Sequence, residues 1–535
     1  MRDDIKERLY RLLPSLYRQR DQAQGYALRA FMSAIENEFL LLETDMDTLY
    51  ENWFIETADD WVIPYIGDLL GVSDLAEKKN SFFSQRRRVA NTTGYRRRKG
   101  LPAVLEHVAQ DVTGWPARVV EYRQLLAATP HLSHVRPAQG TFIDLHRTSA
   151  LAYIDGPFDT TAHTVDVRQI GAAAEPDAQP SSAHILQGKY RPDSLGLFLW
   201  RLQSYQMTNV PAGIITRDAM TGRTLPHGCF TFDPLQRDLQ LFSWPQEVST
   251  ITGRSTIINT PDPISRAAFA SDLKEYATGS AEDQAFASLY YGPDHSLSII
   301  LDGAPVPPNA IIGADLSLWQ PPHSVDAEKL MAVDVELGRI MVFMPEGRAH
   351  AKSHTVETTY CYGFNGEVGG GPYIRSLPPT EPYVINVLRG SRIDTLKKAL
   401  AEWDLYCEKE SSKPTCTIRI LDNRTYAERN LTITLPNNSR LIIEAAHGLR
   451  PCINLIGHLH IRSTGEHAHL LLNGLLINSL LSLQGNMQLD IVHCTLMPHG
   501  IEAHHTTSRT TQFQIMIDHS IVGPLQLQHG NGTLR

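Results

Sequence analysis

The most constraining feature of the sequence is an apolar stripe near the amino terminus. Its members are separated alternately by four and three positions: Leu28, Met32, Ile35, Phe39, Leu42, Met46 and Leu49. This spacing places all of them on one face of a long helix, which therefore needs an apolar partner. The partner is either another helix of the same domain or a helix of another chain. The first is the commoner use of such a stripe, because bundles within one chain follow the same pattern.

The chain is too long for one hydrophobic core, since its 535 residues are about twice the length at which a core stops growing. The sequence predicts a multidomain α+β protein with four regions: helical over 1–125, β-rich over 126–250, mixed α/β with β-hairpins over 251–390, and a helix followed by strands over 391–535. Within them we predict helices over 61–70, 102–112 and 392–407, and strands over 195–202 and 238–244.

The last region contains an internal repeat. Asn473, His493 and His519 each begin a string of one polar, one small and then mostly apolar residues, at separations of 20 and 26 residues. A repeat of this length cannot bury its own inner face and must stack on its neighbours. We therefore predict a right-handed parallel β-helix, in which stacked polar residues mark the bends.

The charges are unevenly distributed. The net charge of −9 excludes a wholly basic surface of the kind that binds nucleic acid or anionic membranes. One stretch nevertheless carries seven positive charges and no acid: Arg86, Arg87, Arg88, Arg96, Arg97, Arg98 and Lys99. It fits either phosphate contacts or contacts with acidic protein surfaces, such as the acids between Glu36 and Asp47. Because no aromatic platform for base stacking accompanies it, we favour protein contact and expect no nucleic acid.

The six cysteines are scattered without a CxxC pair, so neither a disulfide framework nor a thiolate zinc site is indicated. The charged amino terminus does not match a secretory signal, and the most apolar stretch, 470–483, is too short and too polar to span a bilayer. These features predict assembly in the cytoplasm.

Motifs for chemistry are weak. The alternating pairs His458/His460 and His467/His469 could offer imidazoles to a metal, but exposed positions on a β-helix accept histidine equally well. The glycine run 366–371 lacks the Lys and Ser or Thr of a phosphate-binding loop and is better explained as a tight, exposed turn. We expect no catalytic, cofactor-binding or metal-binding residues and no enzymatic activity.

Four tryptophans, Trp53, Trp61, Trp115 and Trp200, lie in apolar strings that fit core or interface contacts. The strings LPSLYRQRD, NWFIETADDWVIPYIGDLLG and YRRRKGLPAVLEHVAQDVTGWPARVVE resemble the phage tail protein I-like family of contractile phage tails and phage-tail-like injection systems. The later strings GKYRPDSLGLFLWRLQSY, VDVELGRIMVF, YCYGFNGEVGGGPYIR and LNGLLINSLLSL are similar to the larger injection-system version of that protein.

The resemblance implies a structural subunit of the baseplate wedge, present in about six copies per particle. Such a subunit bundles helices with two copies of a baseplate J-like protein, contacts hub and sheath subunits, and transmits the rearrangement that triggers sheath contraction. The particle is either released or anchored at a membrane. The apolar stripe then becomes an intermolecular seam, and the expected partner-binding residues are Leu28, Ile35, Leu42, Leu49, Trp53, Trp61, Arg86, Arg87, Arg96 and Arg97. The alternative is a tailspike-like β-helix protein that binds or degrades polysaccharide.

Overall fold

The structure is a computed structural model that describes residues 7–72, 85–127, 132–133, 146, 148–166, 189–218, 221–248, 253–278, 288–322, 329–343, 354–379, 381–410, 413–465, 467–504, 513–528 and 532–534. The chain divides into two compact units, Met1–Ala117 with Ser249–Arg254, and Arg118–Val248 with Ser255–Arg535. Helices and sheets are mixed and some sheets are parallel, which confirms the predicted α+β class. The finer division into four regions stays a prediction.

Helices and turns make up the described part of the first unit. The helices are α1 (Arg8–Leu12), α2 (Ser15–Ala23), α3 (Ala27–Glu51), α4 (Ile63–Leu69), α5 (Gln85–Arg97) and α6 (Pro102–Thr113). The predicted helix over 102–112 is confirmed as α6. Pro102 occupies its first turn, and Gly114 ends it with a φ of 73°, a left-handed conformation that glycine adopts without strain.

The second unit begins with short strands and two helices. β1 (Ala117–Glu121) pairs with β2 (Leu195–Leu199), which confirms the predicted strand over 195–202. The helices of this part are α7 (Thr148–Leu151) and α8 (Arg266–Thr278). A four-stranded antiparallel sheet has the order β3-β11-β6-β7 and contains β3 (Gln203–Pro211), β6 (Leu297–Leu301), β7 (Ala304–Pro305) and β11 (Val356–Phe364).

A second sheet of this part has the order β4-β5-β10-β9-β8. Its strands are β4 (Gly213–Ile214), β5 (Cys229–Thr231), β8 (Ile311–Gly313), β9 (Met331–Asp334) and β10 (Arg339–Val342). Only β8 and β9 run parallel among the described pairs of this sheet. Side chains of both sheets and of α8 share one buried core, which includes Phe232, Phe269 and Tyr360.

The predicted strand over 238–244 is wrong. Only Phe242 forms a bridge there, to Pro263. The backbone N–H groups of Leu239, Leu241 and Phe242 donate to Leu337, Val335 and Cys361 respectively. The segment is extended, but its hydrogen bonds are divided among separate neighbours, so no continuous ladder forms.

The remainder of the second unit contains α9 (Leu396–Lys409) and two sheets whose strands are all parallel. The first sheet consists of β12 (Tyr383–Val387), β13 (Thr415–Ile420), β15 (Arg440–Ala445), β17 (Ala468–Asn473), β19 (Met487–Val492), β22 (Phe513–Asp518) and β25 (Gly532–Leu534). The second consists of β14 (Thr425–Leu435), β16 (Cys452–Ser463), β18 (Leu476–Gln484), β20 (Thr495–Leu496), β21 (Ile501–His504), β23 (Ile521–Val522) and β24 (Leu525–Gln528). From β13 onward the chain passes between the two sheets repeatedly.

Equivalent apolar residues of successive strands stack in register between the sheets. In the first sheet Leu441 pairs with Leu470, Leu470 with Leu489, and Leu489 with Ile515, and all four are buried. Trp403 of α9 joins the same core and is fully buried. Alternation of inward apolar residues with outward polar ones makes this stacking possible, because strand side chains have a period of two.

None of the helices in the part of the chain that the structure describes combines the length and apolar content that a membrane crossing requires.

Candidate functional site

The apolar stripe predicted from the sequence lies on α3, and most of it faces solvent. Leu28 and Met32 are half-buried, whereas Ile35, Phe39, Leu42, Met46 and Leu49 are exposed. Met46 reaches 70% exposure, and the buried residue of this helix is a carboxylate, Glu36. Within the described residues, the stripe is therefore not packed into its own unit, contrary to the commoner use of such a pattern.

The side of α3 that its own chain covers combines the carboxylates of Glu36 and Glu43 with three half-buried apolar residues, Leu28, Met32 and Leu40. The Arg8 backbone N–H donates to Glu36 Oε1 at 2.6 Å, and the Arg8 guanidinium pairs with Glu43 Oε1 at 3.2 Å. Arg29 pairs with Glu7 across the same contact. An amphipathic helix ordinarily turns its apolar face inward, whereas on α3 a carboxylate is buried and five of the seven stripe residues are exposed.

Asp21 fixes the start of α3. Its carboxylate accepts hydrogen bonds from the backbone N–H groups of Leu28 and Arg29, at 2.7 and 3.0 Å, and from the Tyr10 hydroxyl at 2.9 Å. Desolvation would raise the pKa of Asp21, but these hydrogen bonds outweigh it and lower the pKa. The carboxylate thus satisfies two of the free N–H groups at the helix start.

Two groups of exposed aromatic rings occur at and after the end of α3, and together we name them the aromatic patch. It consists of Tyr50, Trp53, Phe54, Trp61 and Tyr65, all of which are exposed. The Tyr50 ring centroid lies 6.2 Å from that of Trp53 and 5.5 Å from that of Phe54, and Trp61 and Tyr65 lie 6.3 Å apart. The sequence pointed to Trp53 and Trp61 but gave no reason to group the other three rings with them.

The tryptophans chosen from the sequence differ in their surroundings. Trp53 and Trp61 are 76% and 62% exposed, so neither lies in the core of the described residues. Trp115 and Trp200 are half-buried, and the Trp200 indole N–H donates to Asp262. Exposed tryptophans are the more suitable interface residues, because they lose a large apolar area to a partner.

Some arginines of the basic stretch form contacts within the first unit. Arg86 pairs with Asp60 at 2.9 Å and donates to the Ile55 carbonyl at 2.8 Å. Arg96 donates to the carbonyls of Leu70 and Gly71, at 2.5 and 2.7 Å, where α4 ends and its carbonyls carry partial negative charge. These two arginines therefore stabilise the unit itself.

Arg87 and Arg97 are exposed. Arg96 is exposed as well, although its guanidinium binds the end of α4, so Arg86 is the half-buried one among the four arginines chosen as partner-binding residues.

A cavity of about 360 Å³ lies beside α5 and α6. Val72, Arg88, Tyr95 and Asp111 contribute to its wall. The Tyr95 hydroxyl donates to Asp111 Oδ2, and burial together with this carboxylate raises the pKa of Tyr95. Asp111 is thus already engaged by its own unit.

One group of side chains in the described residues has the types and proximity that a metal ion needs: Asp155, Asp159 and His163. These groups bond to each other, since His163 Nε2 lies 2.6 Å from Asp159 Oδ2, whereas ligands of one tetrahedral zinc ion lie roughly 3.4 Å apart. Asp159 also accepts from Thr161 and Tyr190. The geometry is that of a hydrogen-bonded network.

The histidine pairs suggested by the sequence do not converge. His469 pairs with Asp490 at 2.7 Å, and the His458 and His460 rings lie 5.8 Å apart. His493 and His519 follow β19 and β22 with left-handed φ values of 49° and 45°, and their rings lie 5.1 Å apart. They occupy bends, where the sequence expected stacked polar residues.

The glycine run is exposed, as the sequence suggested, only at Glu367 and Val368. Gly369, Gly370 and Gly371 are buried, because the run lies against the parallel sheets. The Gly369 N–H donates to the His519 carbonyl at 2.7 Å, and a Cβ on Gly370 would lie 2.8 Å from the Leu475 carbonyl oxygen. Only a residue without a side chain fits this close approach.

The buried guanidinium of Arg375 lies just after the run. It donates to the carbonyls of Gly371, Ala445 and Ala446, at 2.7, 3.0 and 3.1 Å. Desolvation lowers the pKa of Arg375. We name residues 369–375 the glycine strap; no sequence motif pointed to Arg375.

No protein-family model, no curated protein and no solved structure matches this chain.

Proposed function

We propose that this protein is a non-enzymatic structural subunit of a contractile injection system, in which it forms part of the baseplate wedge. The observation that carries the proposal is the burial pattern of α3, in which Glu36 is buried and five of the seven stripe residues are exposed. An apolar face of this length is costly to leave in water, so it favours a protein whose working state is an assembly.

The exposed stripe is proposed as the seam of a helical bundle with a baseplate J-like protein. Burying a large apolar side chain completely contributes about 1.5 to 3 kcal/mol. Ile35, Phe39, Leu42, Met46 and Leu49 are roughly half exposed, so each would contribute about 1 kcal/mol and the five about 5 kcal/mol. The aromatic patch would extend the same interface.

The two parallel sheets are proposed to form a right-handed parallel β-helix. Support comes from the repeated passage of the chain between them and from the in-register apolar ladder of Leu441, Leu470, Leu489 and Ile515. The proposed hand follows from the strong preference of connections between parallel strands for right-handed crossovers. Such a domain is stiff, which suits a subunit that transmits a rearrangement between its neighbours.

The test is incorporation of the subunit into purified particles. Ile35→Asp places a charge in the seam and should abolish co-purification with J-like, hub and sheath subunits, as measured by mass spectrometry and electron microscopy. Ile456→Asp is the matched control, because Ile456 is 72% exposed in the second unit. Normal incorporation of Ile35→Asp, or a wild-type chain absent from such particles, would contradict the proposal.

A second arm addresses polysaccharide binding. The wild-type chain should bind nothing on a broad glycan panel, and specific retention of one polysaccharide would instead favour a tailspike-like function.

A further inference from the structure

We infer that the partner of the α3 stripe is a helix of a different protein, with Lys or Arg beside its apolar face, and not a second copy of this chain. The inference rests on the proposed function, since it names the chemistry of the partner in the proposed seam. It comes from the residues that flank the stripe rather than from the stripe itself.

The flanking positions of the stripe are acidic on both sides. With Leu28, Ile35, Leu42 and Leu49 at heptad position d, and Met32, Phe39 and Met46 at a, position g contains Phe31, Glu38 and Asp45, and position e contains Arg29, Glu36, Glu43 and Tyr50. The one basic flanking residue, Arg29, is already paired with Glu7. From Ala30 to Glu51 the helix contains six acids and no Lys, Arg or His. Positions e and g select partners in helical bundles, because they lie beside the apolar contact.

The acids on the two sides of the stripe differ in whether a residue of the same chain already binds them. Arg8 binds Glu36 through its backbone N–H and Glu43 through its guanidinium. Glu38 and Asp45 are exposed, and no described residue forms an ion pair with either carboxylate. One side of the stripe thus has its counter-charge within the chain, and the other leaves its negative charge for a partner.

Further acids near the carboxyl end of α3 add to the negative charge beside the stripe. Asp45, Asp47 and Glu51 lie in its last two turns, where no basic residue occupies the last turn. The carbonyl end of a helix carries partial negative charge, so acids there are unfavourable unless cations lie nearby. A partner with basic residues beside this end would remove that penalty.

A second copy does not meet these requirements. In a parallel pair of α3 helices, position g of one helix faces position e of the next heptad in the other, which places Glu38 against Glu43. In an antiparallel pair, like positions face each other, so Glu38 and Asp45 oppose acids again. The basic helix α5 is also a poor occupant, because its large apolar residue Val89 is already buried in its own unit.

The experiment uses two synthetic 28-residue peptides with identical Leu and Ile residues at a and d. One carries Lys at every e and g position and the other carries Glu. Binding to the full chain is measured by fluorescence anisotropy at 50 and 500 mM salt. The Lys peptide should bind at least about tenfold more tightly than the Glu peptide, and the difference should shrink at high salt.

Charge reversal provides the decisive variant. Glu38→Lys with Asp45→Lys should reverse or abolish the peptide preference, whereas Asp404→Lys with Glu408→Lys, two exposed acids on α9, should leave it unchanged. Equal binding of both peptides, no binding of either, an unchanged preference in the α3 variant, or an α3-dependent homodimer would overturn the inference. In any of these cases loss of particle incorporation by Ile35→Asp would still support the proposed function, so the two failures are distinguishable.

Discussion

Replacing Gly474 with alanine tests whether the glycine strap locks the bend that follows β17. Gly474 has a φ of 75°, and a Cβ at this position would overlap the Arg375 guanidinium. That guanidinium has no room to withdraw freely, because its hydrogen bonds to the carbonyls of Ala445 and Ala446 hold it in place. The substitution must therefore strain the backbone and displace a buried cation at once.

The two effects can be separated in magnitude. A left-handed conformation costs alanine about 1 to 2 kcal/mol. Displacing the guanidinium breaks two charge-assisted hydrogen bonds, each of which contributes about 1.5 to 3 kcal/mol. Rehydration of the displaced cation offsets part of this loss, so the net cost is about 3 kcal/mol. We expect Gly474→Ala to reduce the free energy of local opening by about 4 to 5 kcal/mol.

Gly448→Ala is the matched control, since Gly448 has a φ of 73° and a Cβ at this position would have no neighbouring atom within 4 Å. It should cost only the backbone part, about 1 to 2 kcal/mol. Hydrogen exchange followed by mass spectrometry on the full chain measures opening of β15 and β17 in each variant. In an Arg375→Ala background the cost of Gly474→Ala should fall to that of Gly448→Ala. Equal costs in the wild-type background, or no coupling to Arg375, would refute the reasoning.

Three further predictions concern other parts of the chain. Burial raises the pKa of the Cys229 thiol to about 11, so it should resist a thiol reagent at pH 8 and react after denaturation, and rapid native labelling would contradict this. Burial, with the neighbouring His519 ring, lowers the pKa of His493 in the folded chain. The contribution of neutral His493 to the free energy of unfolding is therefore complete above about pH 6.5, and it is lost as the pH falls through the lowered pKa of the folded state. His493→Gln should consequently weaken the pH dependence of β19 opening measured by exchange, and an unaltered dependence would refute the assignment. Ile35→Asp should lower the free energy of unfolding of the isolated chain, measured by thermal denaturation, by less than about 0.5 kcal/mol. Trp403→Ala should lower it by about 3 to 5 kcal/mol. A large effect of Ile35→Asp would place Ile35 in a core.

The periodic parts of the sequence were predictable because local spacing determines which side chains share a face. The steps of four and three from Leu28 to Leu49 predicted a helix with one apolar side, which is α3. The predicted helix over 392–407 is likewise confirmed as α9, whose buried side includes Leu396, Leu400 and Trp403. Which face of α3 meets solvent was not predictable, since it depends on where Arg8 lies and on contacts distant in sequence.

The errors occur where tertiary contacts override local pattern. The residues 238–244 alternate like a strand, but their N–H groups bond to several neighbours. The glycines at 369–371 indicated a turn, whereas their function is to let the backbone approach the sheets closely. The grouping of Tyr50, Phe54 and Tyr65 with the two tryptophans also depends on how the chain turns after α3.

The repeated passage of the chain between two parallel sheets has a consequence for how this protein can change in length. Strands β13, β15, β17, β19 and β22 begin at residues 415, 440, 468, 487 and 513, so each added strand of the first sheet takes between 19 and 28 residues. Adjacent strands are spaced about 4.8 Å apart, so gain or loss of one repeat alters the reach of this region by that increment. Each repeat contacts mainly its immediate neighbours, so a repeat added after β24 would leave unaltered the contacts of the glycine strap, which extend from Ala445 to His519. The extent of the stack can thus change in small fixed steps while its other strands keep their pairs.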